Sequence, residues 1–280
     1  MHSKQDMLDM GWSAEDVRPS LKPPLKWAGG KRWLAPRIED IFLSTACGRL
    51  VEPFAGGMSV TLHIRPKDAL LNDINPHLYN FYIWLRRGLS FSLEYRNDEE
   101  SYYKAREAFN NNILDGNIDS KEMAMLFYYL NRTGFNGLCR FNSRGLFNVP
   151  FGKYKNINYK EDFREYSEAL SKFEITNLDF EEVGYRDGDF IYYDPPYDTP
   201  FTSYSKEDFK WDDQVRLVEH IKRSELPALV SNQATPRIIE LYQDNGFHIE
   251  LIDAPRRISC TGDRSSVKEI LAMRGVHGKR

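Results

Sequence analysis

Asp189-Phe190-Ile191-Tyr192-Tyr193-Asp194-Pro195-Pro196-Tyr197 is the stretch from which the rest of the chain can be read. Residues 190–193 are aromatic or β-branched, the composition of a buried central strand. Pro195 and Pro196 have no N–H to donate, so a ladder stops there. The residue before each proline is pushed to extended geometry. The stretch is therefore expected to end as a rigid turn holding a carboxylate, a carbonyl and an aromatic ring in fixed relation. The exocyclic amine of a nucleobase is a weak nucleophile because its lone pair is delocalised into the ring. A carboxylate (Asp194) and the Pro195 carbonyl can accept its two N–H bonds and aim that lone pair, while Tyr197 stacks on the base. Taken alone, the same residues also suit an ordinary Pro-Pro loop with a half-exposed tyrosine.

Upstream, Leu50-Val51-Glu52-Pro53-Phe54-Ala55-Gly56-Gly57-Met58-Ser59-Val60 reads as strand, tight glycine turn and helix, the first βα turn of a nucleotide-binding sheet. The full G-x-G-x-x-G pattern of dinucleotide enzymes is incomplete, which disfavours a nicotinamide dehydrogenase. Residues 69–75 form a second strand pattern ending at Asp73, an acid in the position that commonly binds ribose hydroxyls. Asn75-Pro76 makes a turn or helix-cap role for Asp73 equally natural, and the two roles are compatible. Lys26-Trp27-Ala28-Gly29-Gly30-Lys31 precedes an amphipathic helix (Trp33, Leu34, Ile38, Ile41, Phe42). Its glycines allow close approach of an anionic group, with Trp27 a stacking face and Lys31 a cation.

Between about 76 and 172 the periodicity is helical: 77–87, 101–114, 120–131 with Ser120 as N-cap, and about 160–172. The segment Asn131–Lys155 mixes Arg, Asn, Gly and aromatics without an acid. Its Asn136-Gly137 and Arg144-Gly145 dipeptides signal turns, and a β-hairpin is expected within the segment. Arg and Asn suit purine edges and exposed aromatics suit wedging between bases, so this is the candidate DNA-reading element. The α/β alternation then resumes, with strands at 173–176, 189–193, 227–231, 247–252 and 267–273 and helices at about 207–223 and 236–244. Thr235-Pro236 should cap the second of these helices and Asn245-Gly246 should stop it.

The 280 residues carry a net charge of −3, which alone argues against a nucleic-acid partner. The distribution argues the other way: residues 17–38 and 123–160 each hold six bases and no acid, and 254–280 has a net +5. These stretches leave −20 on the remainder, a segregation that can build a basic face. No run of 18 apolar residues predicts a membrane span, and the N-terminus lacks a signal-peptide apolar region. Cys47, Cys139 and Cys260 are widely spaced and the histidines form no ligand pattern. A reduced, cytoplasmic protein with no metal is expected.

Together, Lys-Trp-Ala-Gly-Gly-Lys (26–31), Glu-Pro-Phe-Ala-Gly-Gly (52–57), Asn-Asp-Ile-Asn (72–75), Leu-Asn-Arg-Thr-Gly-Phe-Asn-Gly-Leu-Cys-Arg (130–140) and Asp-Pro-Pro-Tyr (194–197), in this order, resemble the Dam-type adenine-N6 DNA methyltransferases of the D12 class, α group. The resemblance covers residues 22 to about 275. It implies an α/β fold: a Rossmann-like S-adenosylmethionine-dependent methyltransferase sheet with an inserted, mainly helical target-recognition domain. The expected division is a mobile arm (1–20), a catalytic domain (21–75 and 173–280) and a recognition insertion (76–172). It implies catalysis by Asp194, Pro195, Pro196 and Tyr197, and contacts to S-adenosylmethionine from Trp27, Lys31, Phe54, Asp73 and Asp194. In the recognition segment Arg140 matches a guanine reader, and Leu138 and Pro150 match thymine contacts. Phe135 and Asn136 match residues that enter the duplex when adenine leaves, and Lys26 matches an outer-guanine reader. Arg132, Asn142 and Lys153 complete the expected DNA contacts.

The family's usual target is GATC in double-stranded DNA, modified by base flipping. A role in repair, in restriction-modification or in a phage is left open. Phe135 stands where tyrosine is common, with the ring retained. The segment 198–205 is shorter than in some relatives. A monomer in solution, in a bacterial or phage-host cytoplasm and associated with the nucleoid, is the accompanying expectation. The amine chemistry of Asp-Pro-Pro-Tyr does not by itself separate adenine N6 from cytosine N4 or an RNA base. A catalytically silent DNA-binding regulator is a further alternative, against which the intact Asp73 and Asp194 argue.

Overall fold

The computed structural model describes residues 19–90, 96–198, 209–255 and 267–276. Its strands are β1 (Arg49–Glu52), β2 (Ala69–Asn72), β3 (Glu174–Thr176), β4 (Asp189–Tyr193), β5 (Ala228–Gln233), β6 (His248–Ala254) and β7 (Val267–Arg274). They form one sheet in the order β3-β2-β1-β4-β5-β7-β6. The first five are parallel, and β7 runs antiparallel between β5 and β6. This is a Rossmann-like order. Successive strands leave β1 in opposite directions, so a crevice opens between the carboxyl ends of β1 and β4.

β1, β2 and β4 are buried along their whole length, as strands covered on both faces must be, with polar residues only at their ends. The pleat sorts β4 residue by residue. Phe190 and Tyr192 face one cluster with Leu229 and Leu271, whereas Ile191 and Tyr193 face the other with Val230, Ile270 and Ala272. Arg49 and Asp189, paired in register at the starts of β1 and β4, pin these two strands together. Nε and Nη2 of Arg49 each donate to a different oxygen of Asp189 at 2.7 Å, a buried bidentate pair.

Eight α-helices are described: α1 (Ala35–Ser44), α2 (Thr61–Ile64), α3 (Pro76–Arg86), α4 (Glu99–Leu114), α5 (Lys121–Thr133), α6 (Arg164–Leu170), α7 (Trp211–Ser224) and α8 (Pro236–Asp244). Leu217, Val218 and Ile221 of α7 and Ile238 and Tyr242 of α8 cover the second face. The first face is covered by α1 together with α3–α6, whose Phe81, Phe109, Phe127 and Tyr166 belong to the same buried cluster as the sheet. The helical segment between β2 and β3 thus shares its core with the sheet.

Capping follows the sequence. Ser120 accepts from the Met123 N–H at the start of α5, and Thr235 accepts from Ile238 at the start of α8. Gly246, at φ +78°, follows α8. Some expectations change. The helix read at 160–172 is only Arg164–Leu170, because residues 156–163 run irregularly with Asp162 bridged to Ser90. The helix after the glycine turn is a single turn, stopped by Arg65 at φ +51°. The expected hairpin in 131–155 is two isolated antiparallel bridges, Gly134–Phe151 and Phe141–Phe147, with no continuous ladder. Residues 1–18, nearly all of the expected arm, and 199–208, most of the loop after Asp-Pro-Pro-Tyr, lie outside the described residues.

Candidate active site

β4 ends at Tyr193, and Asp194 is the first residue past it, where the crevice opens. The Pro-Pro turn is fixed from the side as well as by its rings. Gln214 of α7, fully buried, donates from Nε2 to the Pro196 carbonyl at 2.9 Å and accepts from Asn232 Nδ2 at 2.9 Å. The Asp194 carboxylate is held by two donors. Lys31 Nζ lies 2.9 Å from Oδ1 and 3.1 Å from Oδ2. Ser231 Oγ donates to Oδ1 at 2.8 Å. Lys31 is buried, also donates to the Gly29 carbonyl at 2.7 Å, and sits 4.7 Å above the centre of the Tyr197 ring. The Tyr197 hydroxyl donates to Glu269 Oε2 at 2.7 Å. Burial is the chief reason that the Glu269 carboxyl lies above its usual range, and it pushes the Tyr197 phenol up as well.

Asp194 opens onto a cavity of about 700 Å³ shared with Trp27, Phe54, Gly56 and Asp73. The two cofactor motifs seen in the sequence pack on each other. A Cβ on Gly56, at φ +47°, would lie 2.8 Å from Trp27 Nε1, and one on Gly57 would lie 2.9 Å from Trp27 Cβ. Only glycines let the indole lie on this turn. Asp73 closes the turn by accepting from the Gly56 N–H at 2.9 Å with Oδ2, and from the Asn75 N–H at 3.0 Å with Oδ1. Each oxygen keeps a second acceptor position. Burial raises the Asp73 carboxyl against these two N–H bonds. Phe54 meets Phe209 edge-on at 5.6 Å and Phe180 at 5.5 Å, an aromatic wall to the cavity.

Glu52, the last residue of β1, also lines this cavity and is fully buried. Burial pushes its carboxyl up to about 7; the Thr61 hydroxyl and N–H oppose this, and the charge of Asp194 adds to it. Among the described residues no group of three His, Cys, Asp or Glu is arranged to hold a metal ion. No helix among them is long and apolar enough to cross a membrane.

The expected DNA contacts divide into two sets. Phe135, Asn136, Pro150 and Lys153 are exposed, Asn136 and Lys153 each at φ +52°. The others are engaged within the protein. Lys26 Nζ donates to the Arg132 carbonyl at 3.0 Å and lies 3.8 Å over the Tyr154 ring. Burial, aided by the charge of Arg132, lowers Lys26 to about 8. Arg132 Nη2 donates to the Asn158 carbonyl at 2.8 Å. Arg140 is held by Asn148 through Nε at 2.7 Å and Nη2 at 3.1 Å. Leu138 packs against the core, and the Asn142 side chain accepts from the Arg144 and Leu146 N–H groups.

Sequence reading did not single out Ser231, Gln214, Glu269 or Asn131. Asn131, buried in α5, accepts from Lys26 N at 2.9 Å and donates to the carbonyls of Lys26 at 2.8 Å and Gly137 at 3.2 Å. It joins the Lys26-Trp27 loop of the cavity to the turn that carries Phe135 and Asn136. Glu269 had a visible signal, a lone acid in an apolar strand. The other three carry none without the partner strand or loop.

Residues 27–258 match the model of the D12 class N6 adenine-specific DNA methyltransferases. The chain is 38% identical over 261 residues to the DNA N-6-adenine-methyltransferase of Escherichia phage P1, a match covering 86% of this chain but 34% of that longer protein. It is 35% identical over 273 residues to a type II methyltransferase of Lactococcus lactis subsp. cremoris, covering 90% of this chain and 95% of that one. It is 34% identical over 286 residues to the DNA adenine methylase of Haemophilus influenzae, covering 94% and 97%.

Proposed function

The chain belongs to the D12 class N6 adenine-specific DNA methyltransferases, and we propose that it takes its methyl group from S-adenosylmethionine and modifies an adenine turned out of duplex DNA within GATC. The observation that carries this reading is the opening of the Asp194 carboxylate, at the end of β4, onto the cavity lined by Trp27, the Gly56 turn and Asp73. One site can then serve both the amine and the methyl donor.

The residues fit the donor. The Gly56-Gly57 turn offers a cradle that a side chain would fill. Asp73 keeps an acceptor position on each oxygen for ribose hydroxyls, and Phe54 and Phe180 offer ring faces for an adenine. Glu52 and Asp73 line the same cavity, and a cationic ligand beside them favours their ionised forms. When bound, S-adenosylmethionine supplies an electrophilic methyl group and leaves as S-adenosylhomocysteine.

The protein's own part is positioning. Asp194 and the Pro195 carbonyl accept the two N–H bonds of the adenine amine and direct its lone pair, and Tyr197 supports the ring. Orientation of this kind can supply several kcal/mol of the barrier reduction, about 7 or more at its best. Withdrawing a stacked base costs a few kcal/mol. Phe135, exposed beside Asn136, fills the gap and offsets part of that cost. GATC as the target rests on the match of Lys26, Leu138, Arg140 and Pro150 to the family's base readers.

Sequencing that distinguishes methylated bases, applied to DNA from cells expressing the chain, tests this reading. N6-methyladenine confined to GATC is expected, and none with Asp194→Ala. Methylated cytosine N4, a different adenine context, or methylation surviving Asp194→Ala would overturn the corresponding part.

A further inference from the structure

The catalytic carboxylate has two oxygens, and the sheet treats them differently. β4 and β5 are parallel with Tyr192 opposite Leu229 and Tyr193 opposite Val230, so Asp194 and Ser231 are the next pair. Cross-strand neighbours point to the same face. Ser231 is fully buried, and its Oγ lies 2.8 Å from Asp194 Oδ1 and 2.8 Å from the Tyr192 hydroxyl. A serine hydroxyl has one proton. With that proton directed to Asp194, the Tyr192 hydroxyl donates to Ser231. Tyr192 is itself fully enclosed, and burial holds its phenol well above the ordinary range, so it stays a neutral donor. The result is a one-way chain, Tyr192 to Ser231 to Asp194.

Oδ1 thus accepts from Ser231 at 2.8 Å, with the Lys31 ammonium 2.9 Å away, and Oδ2 accepts from Lys31 at 3.1 Å. We propose that Ser231, oriented by Tyr192, is a positioning residue that anchors Oδ1 of Asp194 and so fixes the plane in which the carboxylate meets the adenine amine. This rests on the catalytic role proposed above for Asp194. Without the serine, the carboxylate can turn about its terminal torsion, which is broad for Asp. The acceptor would then meet the amine in a distribution of orientations.

The experiment compares Ser231→Ala, Ser231→Thr, Tyr192→Phe and the Ser231→Ala/Tyr192→Phe pair in tritiated-methyl transfer to duplex DNA. Binding of S-adenosylmethionine is measured by calorimetry and folding by thermal melts. Ser231→Ala is expected to lower kcat about 10- to 100-fold, the effect of losing one hydrogen bond to a charged group. The dissociation constant for the cofactor and both KM values should stay within about twofold, because the change acts on alignment. Ser231→Thr, which keeps the hydroxyl, should recover most of the rate. Tyr192→Phe should cost less than Ser231→Ala and add nothing to it.

An unchanged kcat in Ser231→Ala overturns the proposal, as does a loss matched by equally weakened cofactor binding, which would mark a change of pocket shape. If Ser231→Ala does not fold, Tyr192→Phe decides, and an unaltered kcat there is fatal. Asp194→Ala separates the premise from the inference: turnover retained in that variant defeats the catalytic reading itself, whatever the serine does.

Discussion

Glu52 and Asp194 end neighbouring strands and face one cavity, yet their surroundings treat them in opposite ways. Asp194 has the Lys31 ammonium and the Ser231 hydroxyl against it. Glu52 has the Thr61 hydroxyl and N–H, with no cation paired to it among the described residues, and burial pushes it up to about 7. An acid raised in the folded state above its unfolded value holds its proton longer when folded. Its contribution is fully present below the unfolded value and is lost as pH rises through the folded one. For Glu52 the window runs from about 4.5 to about 7. The melting temperature of Glu52→Gln should therefore fall less than that of the parent between pH 4.5 and 7.5, as followed by calorimetry without ligand. Parallel curves would show that Glu52 ionises normally.

Among the elements, the turn at Asn136-Gly137 joins cavity and reader most directly. The dipeptide marks a turn in the sequence, and both residues have positive φ, +52° and +63°. Sequence did not disclose why the second must be glycine. A Cβ on Gly137 would lie 2.3 Å from Cβ of Lys26, across a contact that Asn131 ties with three hydrogen bonds. Gly137→Ala should lose ~1–3 kcal/mol through overpacking and left-handed strain, measured as a shift in urea midpoint. Because Lys26 is joined directly to Trp27 of the cavity, affinity for duplex DNA and for S-adenosylmethionine should both weaken. Full affinity for both ligands in the folded variant would show that the turn and loop are uncoupled.

Across the whole molecule, the helices between β2 and β3 do not form a separate core. Leu126, Phe127 and Leu130 of α5 are in one cluster with Phe190, Tyr192 and Leu229 of the sheet. Packing of this kind makes the parts melt together. Calorimetry should therefore give one unfolding transition, and a fragment of residues 76–172 should show no cooperative melt. Two resolved transitions, or a folded fragment, would make the segment an independent domain.

Much of this architecture was legible because it is encoded locally. Short apolar, aromatic and β-branched runs located the strands, and the helical period located most helices. Ser120, Thr235 and Gly246 marked helix ends by their own hydrogen-bonding and backbone preferences, and the prolines after Asp194 ended β4 by lacking donors. Asp-Pro-Pro-Tyr, the glycine turn and Asp73 could each be named as candidate site residues from their chemistry alone. The missing parts were relations between distant residues. The helix at Arg164–Leu170 was overextended because an apolar period does not show where tertiary contacts take over from the helix, as at Asp162 and Ser90.

By itself, then, the sequence determined which segments are strands or helices, where the rigid turns lie, and which residues bring reactive groups. Those properties depend on side-chain chemistry and a few neighbours along the chain. Only the tertiary structure decided that β7 lies between β5 and β6, that Trp27 covers Gly56 and Gly57, and that Ser231 and Lys31 together hold the carboxylate of Asp194. A sequence period says which face a side chain takes. Its partner there is chosen by strand register and close packing, which join residues far apart in the chain and are fixed only when the whole core forms.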